Sequence, residues 1–394
     1  MVFDKELFVS APGKVILHGE HAVVHGKMAL AVGLNLRTFL RVKTRKDGKI
    51  SINLPNIGTK QCWEVSQLHS LLPAFQDDLK QARPSSKHLE TLRNFVEFPK
   101  ENKETESLAL LAFLYLYVSI CGRDMPSMDV VVWSQLPTGA GLGSSAAYCV
   151  CLAASLLTIC GIIEDPLQHN TKISSWTLTE QELINQWAFQ GEKIIHGNPS
   201  GVDNAVGTWG GALQYQSEII TQMDRVPMLQ ILLTNTQVPR STKVLVAGVK
   251  DKLLKFPDII GPVLSSIHAI SQECQRILKD MTSGLSADHY PILEELIDIN
   301  QNHLNVIGVG HPSLDKICQV TASHGLHSKL TGAGGGGCAV TLLRPDTDPN
   351  IVETVKQELI SCGFQCWETS IGALGVSIHL PSSLPADIRS EFGI

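Results

Sequence analysis

The stretch that most constrains the fold is Leu136-Pro-Thr-Gly-Ala-Gly-Leu-Gly-Ser-Ser-Ala-Ala-Tyr148, in which glycines and serines directly precede a run of small and aliphatic residues. Gly139, Gly141 and Gly143 permit left-handed backbone, so successive N–H groups can converge on one anion. A helix that starts directly after them adds the positive end of its dipole. The pattern predicts a phosphate-binding loop before a buried helix. Taken alone, it also fits an ordinary turn before such a helix.

Two common nucleotide-binding patterns are excluded. No Gly-Lys-Ser or Gly-Lys-Thr follows the glycines, and neither His-Arg-Asp nor Asp-Phe-Gly occurs, so the chain is neither a Walker-type nor a protein-kinase-type enzyme. A literal Gly-x-Gly-x-x-Gly lies at 332–337, but the strand-like Cys-Ala-Val-Thr-Leu-Leu follows it instead of a helix. This context disfavours a dinucleotide-binding fold and hydride transfer.

Composition narrows the class of protein. The 394 residues suffice for two or three domains with a sizeable core, and a net charge of -6 argues against a general nucleic-acid binder. Ten cysteines without zinc spacing are typical of buried free thiols in a reducing compartment. The N-terminus lacks the layout of a secretory signal. The apolar stretches at 108–121 and 146–162 are predicted to be core helices and not membrane spans.

Elements of both types occur along the whole chain, which predicts an α+β protein of two lobes with a cleft between them. A strand is expected to end in a turn at Pro12-Gly13, with a second strand from Lys14, and the polar segment 77–106 is expected to be a solvated excursion. Helices are predicted at 107–121, after the glycine loop, at 179–195, from Pro199 onward, and at 244–256, 259–281, 291–305 and 312–324. Further strands are predicted at 38–43, 50–54, 128–134, 229–234, 339–343 and 375–379.

Three charged residues carry candidate chemistry. Phosphoryl transfer to an alcohol needs a cation to neutralise the nucleotide and a carboxylate to accept the hydroxyl proton. Lys14, in Ala-Pro-Gly-Lys, can place an ammonium in the cleft, and Glu192 and Asp203, in Gly-Glu-Lys-Ile-Ile-His-Gly-Asn-Pro-Ser-Gly-Val-Asp, can supply carboxylates. Each of them alone also fits a solvated surface charge or a helix cap. The histidines near Lys14 lack a metal-ligand spacing, which favours hydrogen-bonding roles.

These segments together resemble the superfamily of galactokinase, homoserine kinase, mevalonate kinase and phosphomevalonate kinase, the GHMP kinases. The resemblance covers nearly the whole chain, in the family's order: the Ala-Pro-Gly-Lys opening, the Pro-x-Gly-x-Gly-Leu-Gly-Ser-Ser-Ala loop, and the late Lys-Leu-Thr-Gly-Ala-Gly-Gly-Gly-Gly loop. Within the superfamily, the segments around Lys14 and Asp203 look most like animal mevalonate kinases. The openings typical of galactokinases and mevalonate diphosphate decarboxylases are absent.

The resemblance implies ATP- and Mg²⁺-dependent phosphorylation of (R)-mevalonate to 5-phosphomevalonate, in isoprenoid and sterol synthesis. It implies that Asp203 is the general base with Lys14 as its partner, and that Ser145 and Glu192 ligate Mg²⁺. The residues implied to bind ATP are Lys14, Asn56, Ser134, Gly139, Ala140, Gly141, Leu142, Gly143, Ser144 and Ser145. Those implied to contact mevalonate are Glu20, His21, Thr242 and Arg240, with Lys14 as the alternative to Arg240 for its carboxylate. Those implied to brace the phosphate loop from the second lobe are Gly332, Gly334 and Gly335.

The same resemblance implies a first lobe over 1–225 with a left-handed βαβ unit, a ferredoxin-like second lobe over 226–380, and a tail at 381–394 that packs back on the first. It also implies a homodimer inhibited by farnesyl and geranyl diphosphates. The expected location is the cytoplasm, with the peroxisome as the alternative because Lys14-Val15-x5-His21-Ala22 fits an N-terminal peroxisomal pattern. The open functional alternatives are phosphomevalonate, galactose or homoserine as acceptor, and a catalytically inactive ATP-binding sensor.

Overall fold

The computed structural model describes residues 5–75, 84–96, 104–167, 171–223, 225–283 and 289–394. Its strands belong to one continuous sheet and its helices cover parts of that sheet. The strands are β1 (Glu6–His18), β2 (Ala29–Thr44), β3 (Lys49–Leu54), β4 (Thr59–Glu64), β5 (Met128–Ser134), β6 (Ile173–Ser174), β7 (Ala212–Gln216), β8 (Ile219–Gln222), β9 (Leu229–Asn235), β10 (His327–Leu330), β11 (Cys338–Leu343), β12 (Gln365–Ile371) and β13 (Ser377–His379). The helices are α1 (Val65–Leu68), α2 (Leu72–Phe75), α3 (Ser86–Val96), α4 (Glu104–Cys121), α5 (Ser144–Ile159), α6 (Leu178–His196), α7 (Val202–Trp209), α8 (Thr242–Lys255), α9 (Pro257–Thr282), α10 (Tyr290–Ile307), α11 (Pro312–Ser323), α12 (Pro349–Ser361) and α13 (Ala386–Phe392).

Strand β1 continues without a break through Pro12-Gly13, where the sequence predicts a turn. It pairs antiparallel with β2 along its length, and the register shifts between Pro12 and Gly13. Such a bulge bends the strand without ending it. A Cβ at Gly13 would lie 2.8 Å from the carbonyl oxygen of Leu142, so glycine is required where the strand passes the phosphate loop. The prediction of two short strands was therefore wrong, and the continuous strand carries Lys14 past the phosphate loop.

In the first part of the chain, β3 and β5 are parallel neighbours and the crossover between them contains α4. Helix α4 is apolar on almost every side, and every residue from Leu110 to Val118 is buried. A helix that is apolar all round belongs inside a protein or in a membrane. Helix α4 is long and apolar enough to cross a membrane, but it packs against α5 and α6 and is a core helix, as predicted.

The second part of the chain is ferredoxin-like, as predicted. Its strands lie in the order β10-β11-β9-β12 with antiparallel pairing throughout. Helices α8 to α11 connect β9 to β10, and α12 connects β11 to β12. Pairing of Ile371 with Leu34 joins this sheet to β2, so the two lobes share one continuous sheet.

The end of the chain returns to the first lobe. Strand β13 pairs with β1 and β6 of the first lobe, although it lies within the range 226–380 that is expected to form the second lobe. Leu384 and the Ile388 and Phe392 side chains of α13 then pack against Phe8 and Phe39. Much of the segment 77–106 lies outside the described residues, but α3 occupies part of it.

Candidate active site

The loop between β5 and α5 has the predicted geometry. Gly139, Gly141 and Gly143 have φ values of 73°, 76° and 76°, a region that favours glycine. Helix α5 begins directly after Gly143, so the first N–H groups of the helix face the loop. The N–H of Lys14 donates to the carbonyl of Leu142 at 2.8 Å, which fixes the loop to β1. The arrangement is that of an anion-binding loop at a helix N-terminus.

A cavity of about 510 Å³, the loop cavity, lies on one side of this loop. Its apolar wall comes from β3, β5 and α4, and its polar wall comes from the loop. Asn56 fixes the strand end, because its amide donates to the Ser134 carbonyl at 3.0 Å and accepts from the Ser134 N–H at 2.8 Å. The residues that line the cavity include Asn56, Ser134, Gly139, Gly141, Leu142, Gly143, Ser144, Ser145, His196 and Asp203.

A second cavity of about 710 Å³, the hairpin cavity, lies on the other side of the loop and is walled by the β7–β8 hairpin. Ser217 and Glu218 form the hairpin turn with φ values of 50° and 66°. Such values match the twist of a two-residue β-hairpin. The polar residues of the lining include Lys14, Ser200, Asp203, Ser217, Glu218, Arg240 and Thr242.

Lys14 and Asp203 meet where the two cavities adjoin. The Lys14 Nζ lies 3.4 Å from the Asp203 Oδ1, with 12% and 33% of the side chains exposed. Asp203 and Gly141 line both cavities. Asp203 lies in the first turn of α7, which begins at Val202 after the left-handed Gly201. The prediction that this helix starts at Pro199 was therefore wrong.

Glu192 is buried beside the loop with an unsatisfied oxygen. Its side chain is 3% exposed, and its Oε1 has no hydrogen-bond partner among the residues that the structure describes. Burial, reinforced by the charge of Asp203, raises the pKa of Glu192 to about 7, against a smaller opposing effect from the Ser145 hydroxyl. Its neighbour Ser145 is also hydrogen-bonded to His196, with 2.9 Å between Oγ and Nε2. His196 was missed by sequence reasoning, although its place four residues after Glu192 on one helix face was available as a signal.

We expect the Glu192→Gln variant, in EDTA, to be more stable than the parent at pH 8 by about 3 kcal/mol. The folded pKa is raised, so the folded state binds more protons than the unfolded state between the two pKa values, and the parent loses stability as the pH rises from about 4.5 to 7. Urea unfolding at pH 4.5 to 8 measures this. Parallel stability curves for the two proteins would contradict the burial argument.

Arg240 connects the second lobe to the loop. Its Nη2 donates to the Ala140 carbonyl at 2.8 Å, and burial lowers its pKa. A Cβ at Gly337 would overlap the Arg240 guanidinium, so this glycine leaves room for the arginine. Thr242 is the first residue of α8 and lines the hairpin cavity, as does Gly332.

Two of the glycines expected to brace the loop lie elsewhere. A Cβ at Gly334 would meet the Val309 carbonyl, and one at Gly335 would meet the Leu245 side chain, so both pack within the second lobe. Bracing of the loop comes from Arg240 and from Cys338, whose Sγ lies 3.9 Å from the Ala140 carbonyl oxygen.

Glu20 and His21 are also placed differently from the expectation. The fully buried Glu20 carboxylate pairs with Lys329 and accepts a hydrogen bond from the Asn300 amide at 3.1 Å. The His21 Nε2 lies 2.8 Å from the Ala333 carbonyl oxygen. Neither side chain is among the described residues that line the two cavities. Both residues therefore join the first lobe to the second. The buried Lys329 cation, together with the Asn300 amide, offsets the cost of burying the Glu20 charge.

The chain is similar to known proteins along nearly its whole length. The pattern described as GHMP kinases N terminal domain matches residues 108–211, and GHMP kinases C terminal matches 281–361. The mevalonate kinases of Bos taurus and Homo sapiens are each 60% identical to the chain over 390 residues, covering 98% of both chains in each comparison. The chain belongs to the mevalonate kinase family of enzymes. Its fold is similar to that of the L. major mevalonate kinase solved in complex with R-mevalonate, with a TM-score of 0.64 at 21% identity, covering 92% of this chain and 94% of that chain.

The GHMP kinase match is informative about the site. The N-terminal match contains the phosphate loop, Glu192 and Asp203, and the C-terminal match contains Lys329 and Gly332. Lys14 precedes the matched segments, and the fold brings it to Asp203. Residues of both lobes line the hairpin cavity: Lys14 and Asp203 come from the first lobe, and Arg240 and Thr242 come from the second.

Proposed function

We propose that the chain transfers the γ-phosphoryl group of ATP to the 5-hydroxyl of (R)-mevalonate, giving 5-phosphomevalonate for isoprenoid and sterol synthesis. One observation carries the proposal: the Lys14–Asp203 pair stands where the loop cavity adjoins the hairpin cavity. A donor and an acceptor held in these cavities would meet at that pair. The names of the mammalian relatives, and the R-mevalonate bound to the L. major enzyme, support mevalonate as the acceptor.

Asp203 accepts the proton of the attacking hydroxyl in this proposal. A general base must reach the proton that it removes, and Asp203 faces both cavities. The Lys14 ammonium holds the carboxylate in place and faces the negative charge that spreads over the transferred group. Most of the catalysis then comes from positioning and electrostatics.

ATP occupies the loop cavity in this proposal. The N–H groups from Gly139 to Ser145 surround its phosphates, and the helix dipole of α5 favours their charge. Asn56 and Ser134 lie at the far wall, where they contact the nucleoside. The apolar side chains of α4 and β5 supply the surface against which a base packs.

The residues present fit a Mg²⁺ ion. Within the described part of the chain, the buried Glu192 Oε1 lacks a hydrogen-bond partner, and the Ser145 hydroxyl lies beside this carboxylate. Both groups are oxygen ligands of the kind that Mg²⁺ takes. Bound Mg²⁺ neutralises nucleotide phosphate charge. Among the described residues no group of three acidic, histidine or cysteine side chains is arranged to hold a metal, which fits an ion held largely by phosphates and water.

Mevalonate occupies the hairpin cavity in this proposal. Arg240 supplies a cation for its carboxylate, and Thr242 supplies a hydroxyl for its polar groups. Val23 and Val24 supply an apolar wall. Because the Arg240 guanidinium also donates to the loop at Ala140, carboxylate binding and loop position are connected. Glu20 and His21 do not contact mevalonate in this proposal. They hold Lys329 and Ala333 in place, and Ala333 lines the hairpin cavity.

The remaining expectations accompany this proposal without further support. They are a lobe boundary near residue 225, a homodimer, inhibition by farnesyl and geranyl diphosphates, and location in the cytoplasm with the peroxisome as the alternative.

The decisive experiment is a panel of acceptors with MgATP: mevalonate, phosphomevalonate, galactose and homoserine. We expect kcat/KM for mevalonate to exceed that for each other acceptor by at least about a hundredfold, because an unmatched polar group in a built site costs several kcal/mol. ADP release measures turnover, and omission of the acceptor controls for ATP hydrolysis. Preference for another acceptor overturns the choice of mevalonate. ATP binding without turnover on any acceptor favours the sensor alternative.

A further inference from the structure

Two cysteines meet at the C-terminal ends of α4 and α5, and these ends are remote from the phosphate loop. Cys121 is the last residue of α4, and Cys160 directly follows α5. Their Sγ atoms lie 3.2 Å apart, and both are free thiols. They come from positions 39 apart in the sequence, and the proposed phosphoryl transfer does not use them. Core packing requires only apolar side chains at these positions and does not explain why two thiols lie in contact.

The backbone at both positions can accommodate a bond. A disulfide has an S–S length of about 2.0 Å, so the sulfurs must approach by roughly 1 Å. Each cysteine is followed by a left-handed glycine, Gly122 with φ 54° and Gly161 with φ 68°. A Cβ added at Gly161 would have no heavy atom of the described residues within 4 Å, so these residues leave open space around the turn. Both helices end here, so a small shift disturbs no continuing helix.

We propose that Cys121 and Cys160 are a modification site: hydrogen peroxide converts them into a reversible disulfide that joins the far ends of α4 and α5. The formation of this bond does not rest on the proposed function. Only the expected effect of the bond on turnover with mevalonate rests on the proposed function.

The two thiols have different roles in the reaction. Cys160 is partly exposed and Cys121 is buried, so peroxide reaches Cys160 first. The hydrogen bond with Cys121 lowers the pKa of the Cys160 thiol, whereas burial raises the pKa of the Cys121 thiol. The thiolate is the reactive form of cysteine. Cys160 is thus the attacking residue and Cys121 the resolving residue.

The atoms and electrons balance over two steps. The Cys160 thiolate attacks one peroxide oxygen, the O–O bond breaks, Cys160 becomes a sulfenic acid, and hydroxide leaves and takes up the released thiol proton as water. The Cys121 sulfur then attacks the Cys160 sulfur, the S–O bond breaks, and a second water leaves with the Cys121 proton. Two thiols are oxidised by two electrons in total, and one peroxide is reduced to two waters. A dithiol reductant reverses the bond.

The disulfide is expected to leave the loop cavity intact. The N-terminal ends of the same two helices line that cavity, and the Tyr148 hydroxyl on α5 donates to the Ala109 carbonyl on α4 at 2.9 Å. A helix the length of α5 spans about 24 Å, and the glycines after both cysteines take up the movement. The bond therefore acts as a staple between two core helices. It restricts the unfolded chain over the 121–160 segment and raises stability.

The test uses the full chain, reduced and then exposed to a few equivalents of hydrogen peroxide. We expect thiol titration to lose two of the ten thiols and mass spectrometry of an unreduced digest to show a Cys121–Cys160 peptide. We also expect the melting temperature to rise by about 5 °C. Turnover with mevalonate is expected to change less than twofold. Dithiothreitol should restore all ten thiols and the original melting temperature.

Matched variants separate this site from general oxidation. Cys62→Ser/Cys362→Ser removes two exposed thiols and should still form the linked peptide. Cys160→Ser should not form it, and Cys121→Ala, which keeps an apolar buried side chain, should trap Cys160 as a sulfenic acid that dimedone labels. The proposal is overturned if Cys62 and Cys362 oxidise while Cys121 and Cys160 remain thiols. Loss of turnover in the linked protein would overturn the expectation that the bond leaves the loop cavity intact. A parent without turnover before oxidation refutes the proposed function and leaves the peptide assay valid.

Discussion

The Asp203→Asn variant is expected to lose turnover with mevalonate by about a thousandfold or more, while its affinity for ATP changes only a few-fold. Asparagine has nearly the same shape but cannot accept the hydroxyl proton. Its side chain still fills the place beside Lys14 where the two cavities adjoin, so the phosphate loop is not disturbed. Steady-state kinetics measure kcat and KM, and calorimetry with ATP measures binding.

A control must show that loss of one first-turn carboxylate is not itself damaging. Asp258 lies in the first turn of α9, as Asp203 does in α7, but it does not line either cavity among the described residues. Asp258→Asn should keep full turnover. Near-normal turnover of Asp203→Asn would remove this residue from the role of general base, and weakened ATP binding with unchanged kcat would make its role structural.

The Lys329→Met variant is expected to lose about 3–5 kcal/mol in its free energy of unfolding. The Lys329 ammonium and the Glu20 carboxylate are 1% and 0% exposed, and Lys329 also donates to the Leu330 carbonyl at 2.7 Å. Burial raises the pKa of Glu20, and Lys329 is the main influence that opposes this rise. Methionine leaves the carboxyl buried without its cation. Urea unfolding at pH 7.5 measures the loss.

The double variant Glu20→Gln/Lys329→Met tests the cause of that loss. Removing both charges removes the uncompensated burial, so the double variant should recover most of the stability that Lys329→Met loses. Lys49→Met breaks an ion pair with Glu64 whose side chains are 45% and 48% exposed, and it should change stability little. A double variant as unstable as the single one would show that packing, and not charge, sets the effect.

Sequence reasoning succeeds where the physical requirement is local. The left-handed glycines before a small-residue helix specify a phosphate loop, because backbone conformation and helix dipole depend on neighbouring residues. The helices α4, α6, α9 and α11 follow from apolar runs, periodicity and caps, and their bounds agree with prediction to within a few residues. The resemblance of three motifs added the pairing of Lys14 with Asp203, which no local pattern contains.

Sequence reasoning fails where a residue's role depends on a distant partner. Strand β1 continues through the bulge at Pro12-Gly13 because β2 pairs with it on both sides. The local Pro-Gly pattern by itself predicts only a turn. His196 acquires its position from Ser145 on another helix, 51 residues earlier in the chain.

The sequence by itself determined the phosphate loop, the core helices and the chemical groups available for phosphoryl transfer, since these depend on residue type and short-range geometry. The tertiary structure alone decided that Glu20 is buried against Lys329, 309 positions away, and that Cys121 meets Cys160. Burial and pairing are properties of the packed chain: the same carboxylate is a ligand when it faces a cavity and a structural ion when a lysine covers it.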